Sequence, residues 1–259
     1  MAKLQDLFTQ ARRTQGSGGM GFRGKNRIES KAHAAALVVE FSQVTAGGAE
    51  AALKAGADGL LFTWDGQDPA LLETVKQEIE SAKTTNSQVV SGLHITGGWG
   101  DLGREEINNL KELGVQYIIV PFDAPARLLA LVTKDVEKVI TVPMRSGEIY
   151  PLFIRNLTGF EGIAAVLLDF GLSREIGTLT IEDVLPYRAV REAVRFPAFI
   201  KVKGNISEAD AYTLSTLGVQ AVLLAASSSE ETTRQEVKAV RELLETIFQD
   251  DKETPSIPR

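Results

Sequence analysis

The chain has 259 residues, 44% of them hydrophobic, a formal net charge of −6 and no cysteine. The lack of cysteine excludes disulfides, thiolate nucleophiles and thiolate-ligated metals, and mixed charges on an overall acidic chain argue against a nucleic-acid or anionic-membrane surface. The first residues lack a signal-type apolar core and no apolar run approaches the roughly 18 residues of a membrane span, so a soluble, cytoplasmic protein is expected.

Residues Lys3–Arg13 place Leu4, Leu7, Phe8 and Ala11 on one helical face, which predicts a short amphipathic helix capping the bottom of the fold or packing outside it. A glycine-rich connector, Gly16 to Gly24, follows; residues 1–28 are read as this helix and connector. Eight short apolar runs then recur, each followed by a stretch of helical pattern. They are Ala35–Phe41, Gly59–Trp64, Val89–Ile95, Gln116–Phe122, Lys138–Met144, Ala164–Phe170, Ala198–Lys203 and Val219–Ala225. Helical spacing is clear over Pro69–Ser81, Ile181–Val194 and Glu230–Phe248, and Ser228 with Glu231 predicts a capping box for the last. Residues 250–259, with Pro255 and Pro258, read as a polar, fraying tail. Strand–helix alternation implies a parallel sheet. Eight such units at this length indicate α/β architecture: one closed (β/α)8 TIM barrel over residues 1–259, with an extra N-terminal helix. Gly56, Gly114 and Gly218 each stand between a helical stretch and a strand, where a left-handed cap is needed.

Barrel enzymes carry their chemistry at the C-terminal ends of the strands, and side-chain alternation sorts the residues there. In the seventh run Ala198, Ile200 and Val202 share one face, and Phe199, Lys201 and Lys203 the other. If the apolar set meets the helices, both lysines point inward. By the same parity Val38 and Glu40 face in from the first run, His94 from the third and Asp169 from the sixth. A buried charge without a partner is costly, so Glu40, Asp169, Lys201 and Lys203 are expected to pair with one another or with a ligand. Two readings stand: a structural ion-pair layer, or a catalytic centre for an anionic substrate. In the second, Lys201 is the Schiff-base or electrophile candidate, Glu40 or Asp169 the general base, and His94 a further catalytic group. Lys203, nearer the mouth, is assigned to anion binding.

Many barrels hold a phosphate between the loops after strands seven and eight. Gly204, Asn205, Ser227 and Ser228 supply a close backbone approach and polar donors for such a grip. The alternative is that Ser207 and Ser228 only cap helices, and Glu208, Glu230 and Glu231 would repel an anion. Val38-Val-Glu-Phe-Ser42, Ala55-Gly-Ala-Asp-Gly-Leu-Leu-Phe-Thr63, Lys201-Val-Lys-Gly-Asn-Ile206 and Val222-Leu-Leu-Ala225 resemble the phosphate-binding and aldolase-type barrel superfamily, distantly like indole-3-glycerol-phosphate synthase and its relatives. The resemblance implies the fold and phosphorylated ligands, and it maps that synthase's catalytic strand-1 glutamate onto Glu40. Three departures reject the synthase activity itself. Ser91-Gly-Leu-His-Ile-Thr96 lacks the family's lysine, Leu168-Asp-Phe-Gly171 replaces Asn-Asn-Arg, and Val202-Lys-Gly204 replaces Glu-Ser-Gly.

The pattern G-x-G-x-x-G occurs at Gly16, Gly18 and Gly21, in the wrong context between a helix and a strand, and at Gly98, Gly100 and Gly103. The second follows a strand, precedes a helix and has Asp123 ending the next strand, the order of a dinucleotide fingerprint. Trp99 and Asp101 oppose a pyrophosphate there, and the alternative is a flexible top loop with Trp99 as a lid. His94 with Asp65, Asp123 and Asp169 is weighed as a metal set without support from spacing, and no metal is assigned. His33 is expected at the surface. Arg145 is read as an anion contact or a solvent-facing side chain, and Trp64 and Phe122 as core.

The leading expectation is a lyase, aldolase or isomerase acting on a small phosphorylated or carboxylated metabolite. The alternatives are an FMN-binding oxidoreductase and a barrel that binds or scaffolds without catalysis. The partner is a small anionic metabolite, with self-association possible; nucleic acid and membrane are not expected, and no cofactor is required.

Overall fold

The structure is a computed structural model and describes residues 3–12, 32–100, 102–145, 147, 149–169 and 176–253. The glycine-rich connector with its Gly16/Gly18/Gly21 motif, Asp101, Phe170 and the tail prolines lie outside these residues. The strands are β1 (Ala36–Phe41), β2 (Gly59–Trp64), β3 (Val90–Ile95), β4 (Tyr117–Val120), β5 (Glu137–Pro143), β6 (Ile163–Asp169), β7 (Ala198–Val202) and β8 (Ala221–Ala225). The helices are α1 (Leu4–Arg12), α2 (Gly48–Ala55), α3 (Pro69–Thr85), α4 (Arg104–Glu112), α5 (Arg127–Ala130), α6 (Tyr150–Ile154), α7 (Ile181–Val194), α8 (Glu208–Leu217) and α9 (Glu230–Glu253). The strands pair in sequence order, all parallel, and β8 closes on β1. This is the closed eight-stranded barrel expected from the eight apolar runs.

Local chemistry sets the element ends. β4 stops at Val120 because Pro121 has no N–H for the ladder. Gly56, Gly114 and Gly218 have φ of 116°, 90° and 73°, the left-handed geometry that lets a helix stop and a strand begin. α9 corrects two expectations. It runs on to Glu253, into the stretch expected as tail. It also starts at Glu230, so its cap is Ser229, whose hydroxyl oxygen lies 3.5 Å from the Thr232 N–H, and not Ser228.

Two apolar cores follow from strand alternation. The outer one lies between barrel and helices and takes Leu37, Val39, Phe41, Leu93, Val142, Ile200 and Val202. The inner one fills the barrel and takes Val38, Leu61, Val90, Ile119, Val139, Leu167, Phe199 and Leu223. Leu4, Leu7, Phe8 and Ala11 of α1 join the inner core. Phe8 meets Phe199 edge-on at 5.4 Å between ring centroids, and the Leu4 N–H donates to the Glu137 carboxylate at 2.9 Å. Of the two places expected for this helix, it takes the bottom of the barrel, where it closes the N-terminal ends of the strands.

Above α1 sits Tyr117. Its ring stacks on Phe199 with centroids 6.2 Å apart, and its hydroxyl donates to the Leu60 carbonyl at 3.2 Å. The ring occupies the space a side chain at position 92 would need: a Cβ on Gly92 would lie 2.2 Å from it. Burial pushes the Tyr117 hydroxyl well above its ordinary pKa, and the nearby Glu40 charge adds to this, so the phenol stays neutral.

Candidate active site

In a barrel of this kind each strand advances by about one residue on its neighbour, so inward residues of alternate strands share a height. Following the register from β1 round through β8, with that advance of one residue added at each step, returns to the starting residue. The inward residues of β1, β3, β5 and β7 then form a single ring: Glu40, His94, Thr141 and Lys201. The same counting puts Val38, Gly92, Val139 and Phe199 in the odd-strand layer beneath. A polar ring therefore rests on apolar layers, at the end of the barrel where the strands finish.

Three members of the ring are joined directly. Nδ1 of His94 lies 2.6 Å from Oε1 of Glu40, and Nζ of Lys201 lies 3.0 Å from Oε2. Glu40 is 5% exposed, whereas the Lys201 side chain is 53% exposed, so the pair runs from the barrel interior to solvent. Burial works to raise the Glu40 pKa. The hydrogen bond from His94 and the Lys201 ammonium together outweigh it and hold the carboxyl below its ordinary value. An ionised carboxylate only accepts hydrogen bonds, so Nδ1 of His94 carries the proton that it donates. His94 Nε2 is left without a hydrogen-bond partner among the described residues, with its lone pair available whenever the ring is neutral.

The other expected site residues divide. Asp169 ends β6 and is exposed, on the inward parity predicted for it and above the ring. Lys203 follows the end of β7 and is exposed, so of the two lysines only Lys201 joins the ring. Its close charged neighbour is a carboxylate and not a second cation, so crowding by like charge does not activate it. Arg145 lies over the Phe122 ring at 5.4 Å, and Trp64 is buried with its indole N–H donating to the Asp68 carbonyl at 2.9 Å.

Between the loops after β7 and β8 the structure places a carboxylate. Ser227 Oγ donates to Glu236 Oε2 at 2.7 Å, and a Cβ on Gly204 would lie 2.2 Å from the Glu236 carboxyl carbon. The Ser227 N–H is held by Thr233 Oγ1 at 2.9 Å. Asn205 and Ser228 are exposed, and Ser207 caps α8 in a reciprocal box with Asp210. A phosphate entering this corner must first displace Glu236. The residues present therefore do not fit the phosphate of FMN as they stand, and no step is drawn through that cofactor.

Four secondary expectations meet specific contacts. At the Gly98/Gly100/Gly103 motif, the Gly103 N–H that opens α4 donates to Glu106 at 2.9 Å, so a carboxylate already sits where a pyrophosphate would. The same loop is tied down. Arg127 donates to the carbonyls of Leu102 (2.8 Å), Gly100 (3.2 Å) and Trp99, and Trp99 packs on the outer core; it is not a free lid. Asp65 accepts from the N–H groups of Gln67 and Asp68, and no group of three His, Asp or Glu suited to a metal occurs among the described residues. His33 corrects the expectation of a surface residue: it is 2% exposed. Its Nε2 is 2.7 Å from Asp58, whose other oxygen takes Arg241 at 2.9 Å. The Asp58 carboxylate also accepts the Leu37 N–H at 2.8 Å, so this network ties β1 and α9 to the loop before β2.

These carboxylates set an acid limit on stability. Burial opposes ionisation of Asp58 too, but its bonds and charges from His33, Arg241 and Leu37 hold its pKa below the ordinary value. A carboxyl lowered on folding contributes stability above its unfolded pKa and loses it as pH falls through the folded value. The denaturation midpoint should therefore fall below about pH 4.5, the ordinary value for Glu40, and the fall should be shallower in Glu40→Gln. An identical acid limb in that variant would contradict the pairing.

No protein-family model matches the sequence, and no curated protein does. Solved structures do. The native KDPGal structure is similar with TM-score 0.59 and 13% identity, over 89% of this chain and 100% of that one. Tryptophan synthase of M. tuberculosis, in the open form with BRD0059 bound, gives 0.58 and 13%, over 82% and 93%. The YdjI aldolase of Escherichia coli K12 gives 0.52 and 17%, over 82% and 92%. At such identities the likeness establishes the fold: a closed barrel of the kind found in aldolases and tryptophan synthase.

Proposed function

We propose that this chain is a lyase of the aldolase kind, which forms an imine between Lys201 and the carbonyl of a small carboxylated metabolite. The observation that carries the reading is the ring itself. An amine reachable from solvent sits 3.0 Å from a buried carboxylate, which in turn orients a histidine, at the end of the barrel where such folds do chemistry. Aldolase-type structural neighbours agree with a lyase. The carboxylated class is preferred over the phosphorylated one because Glu236 fills the loop corner that a phosphate would use. Exposed Lys203 and Arg145 are the cations at hand for the substrate's charge.

The chemistry follows from the contacts. Lys201 must shed a proton to attack, and Glu40 is the adjacent acceptor. The amine adds to the carbonyl carbon; the former carbonyl oxygen takes protons and leaves as water, giving a protonated imine. Cleavage of the neighbouring carbon–carbon bond sends its electron pair into that imine. The hydroxyl that becomes the second product's carbonyl gives its proton to a base. His94 through Nε2 fills that role, with Asp169 the alternative at the rim.

Borohydride reduction in the presence of pyruvate and simple aldehydes tests this. The expected result is a stable adduct mapped by peptide mass to Lys201, absent from Lys201→Met. A wild-type protein that yields no adduct at Lys201 with any of these compounds removes the imine and leaves the ring as an ion-pair layer.

A further inference from the structure

Thr141 belongs to the ring but has no role in the ion-pair chain. It lies on β5 two residues after Val139, an inner-core residue, and so points into the barrel at the height of Glu40, His94 and Lys201. Its Oγ1 is buried and has no hydrogen-bond partner among the described residues. The other buried oxygen in this condition, Ser91 Oγ, belongs to β3 at a position between inward Val90 and Gly92, and so faces the helices. A hydroxyl withdrawn from water without a partner is costly, and valine would fill the same volume without that cost. No described residue supplies that partner, and a ligand lying across the barrel end would supply it. Two further polar atoms of the ring have capacity left: His94 Nε2, and the Lys201 ammonium beyond its contact with Glu40.

We propose that Thr141 is a ligand-contacting residue whose hydroxyl donates to a carboxylate or carbonyl oxygen of the small anionic carbonyl compound that Lys201 engages. The inference rests on the lyase reading for the identity of that compound, and on the ring geometry alone for the contact. Thr141 fixes orientation: one oxygen held on β5 and the carbonyl carbon presented to Lys201 on β7 leave a single way for the ligand to lie across the barrel.

The test uses Thr141→Val and Thr141→Ser in the full chain, with pyruvate as the probe, read by calorimetric titration and by borohydride trapping. Loss of one hydrogen bond to an anion predicts pyruvate affinity reduced by roughly tenfold or more in Thr141→Val. Thr141→Ser should stay within about threefold of wild type, since it keeps the hydroxyl. Thr141→Val should also melt at or above the wild-type temperature, which separates a lost contact from a damaged fold. Equal affinity in Thr141→Val and wild type overturns the proposal, as does a wild-type protein that binds no pyruvate. Binding that depends on Thr141 but gives no Lys201 adduct supports the contact and removes the imine mechanism instead.

Discussion

Replacing Gly92 by alanine is expected to destabilise the protein by about 3 kcal/mol or more, the upper end of what overpacking a dense core costs. The added methyl would lie 2.2–2.5 Å from three carbons of the Tyr117 ring. The ring has nowhere to retreat. It is stacked on Phe199, its hydroxyl is bonded to the Leu60 carbonyl, and it is fully buried. Phe199 is in turn backed by Phe8 of α1, so the strain would pass to the helix that closes the barrel. Gly92→Ala combined with Tyr117→Leu should recover most of the loss, because the smaller side chain vacates the contested volume. Urea denaturation midpoints of the two single variants and the double variant form a cycle that measures this coupling. A Gly92→Ala protein as stable as wild type would show that Tyr117 does not lie across β3.

Glu40→Gln should slow imine formation at Lys201 by about 10²–10⁴-fold, the range for loss of a positioned proton acceptor. Glutamine keeps the size and can still accept from His94, but it cannot take the lysine proton and no longer offers a negative charge. The half-exposed Lys201 remains hydrated, so the fold should survive and the loss should be one of rate. Single-turnover trapping of pyruvate with and without a small carboxylate buffer separates the causes. Excess buffer should restore part of the variant's rate, because it accepts the proton that glutamine cannot. A variant that traps at the wild-type rate would leave Glu40 as a structural anchor only.

The barrel was legible because its signals are local. Each apolar run needs only its own residues to read as a strand, and Gly56, Gly114 and Gly218 announce helix ends by a conformation that glycine alone adopts cheaply. Alternation along β1, β3 and β7 also puts Glu40, His94 and Lys201 on one parity, and the structure joins the three in contact, with Lys201 at the solvent end. What escaped depends on partners distant in sequence. Glu236 is a helical glutamate on an amphipathic pattern, and nothing near it says that its carboxylate will lie over Gly204. The clash between Gly92 and Tyr117 requires the β3–β4 register. His33 stands among alanines just before β1, but the partners that make its burial tolerable, Asp58 and Arg241, lie far along the chain. Thr141 is different, because counting inward positions on β5 as on β1 and β7 finds it. Attention to the charged end of that run, at Arg145, passes it over.

The helix beneath the barrel has a kinetic consequence for any ligand of the ring. With apolar layers filling the barrel beneath the ring and α1 closing its floor, solutes reach Lys201 and depart from it by the same doorway. In a cleavage that yields two fragments, the one not tethered to the lysine must diffuse out first. Until the second is hydrolysed from the amine and follows it, the passage is shut to the next arrival. On the imine reading, turnover would be ordered, with the tethered fragment competing directly with fresh substrate and the released one not.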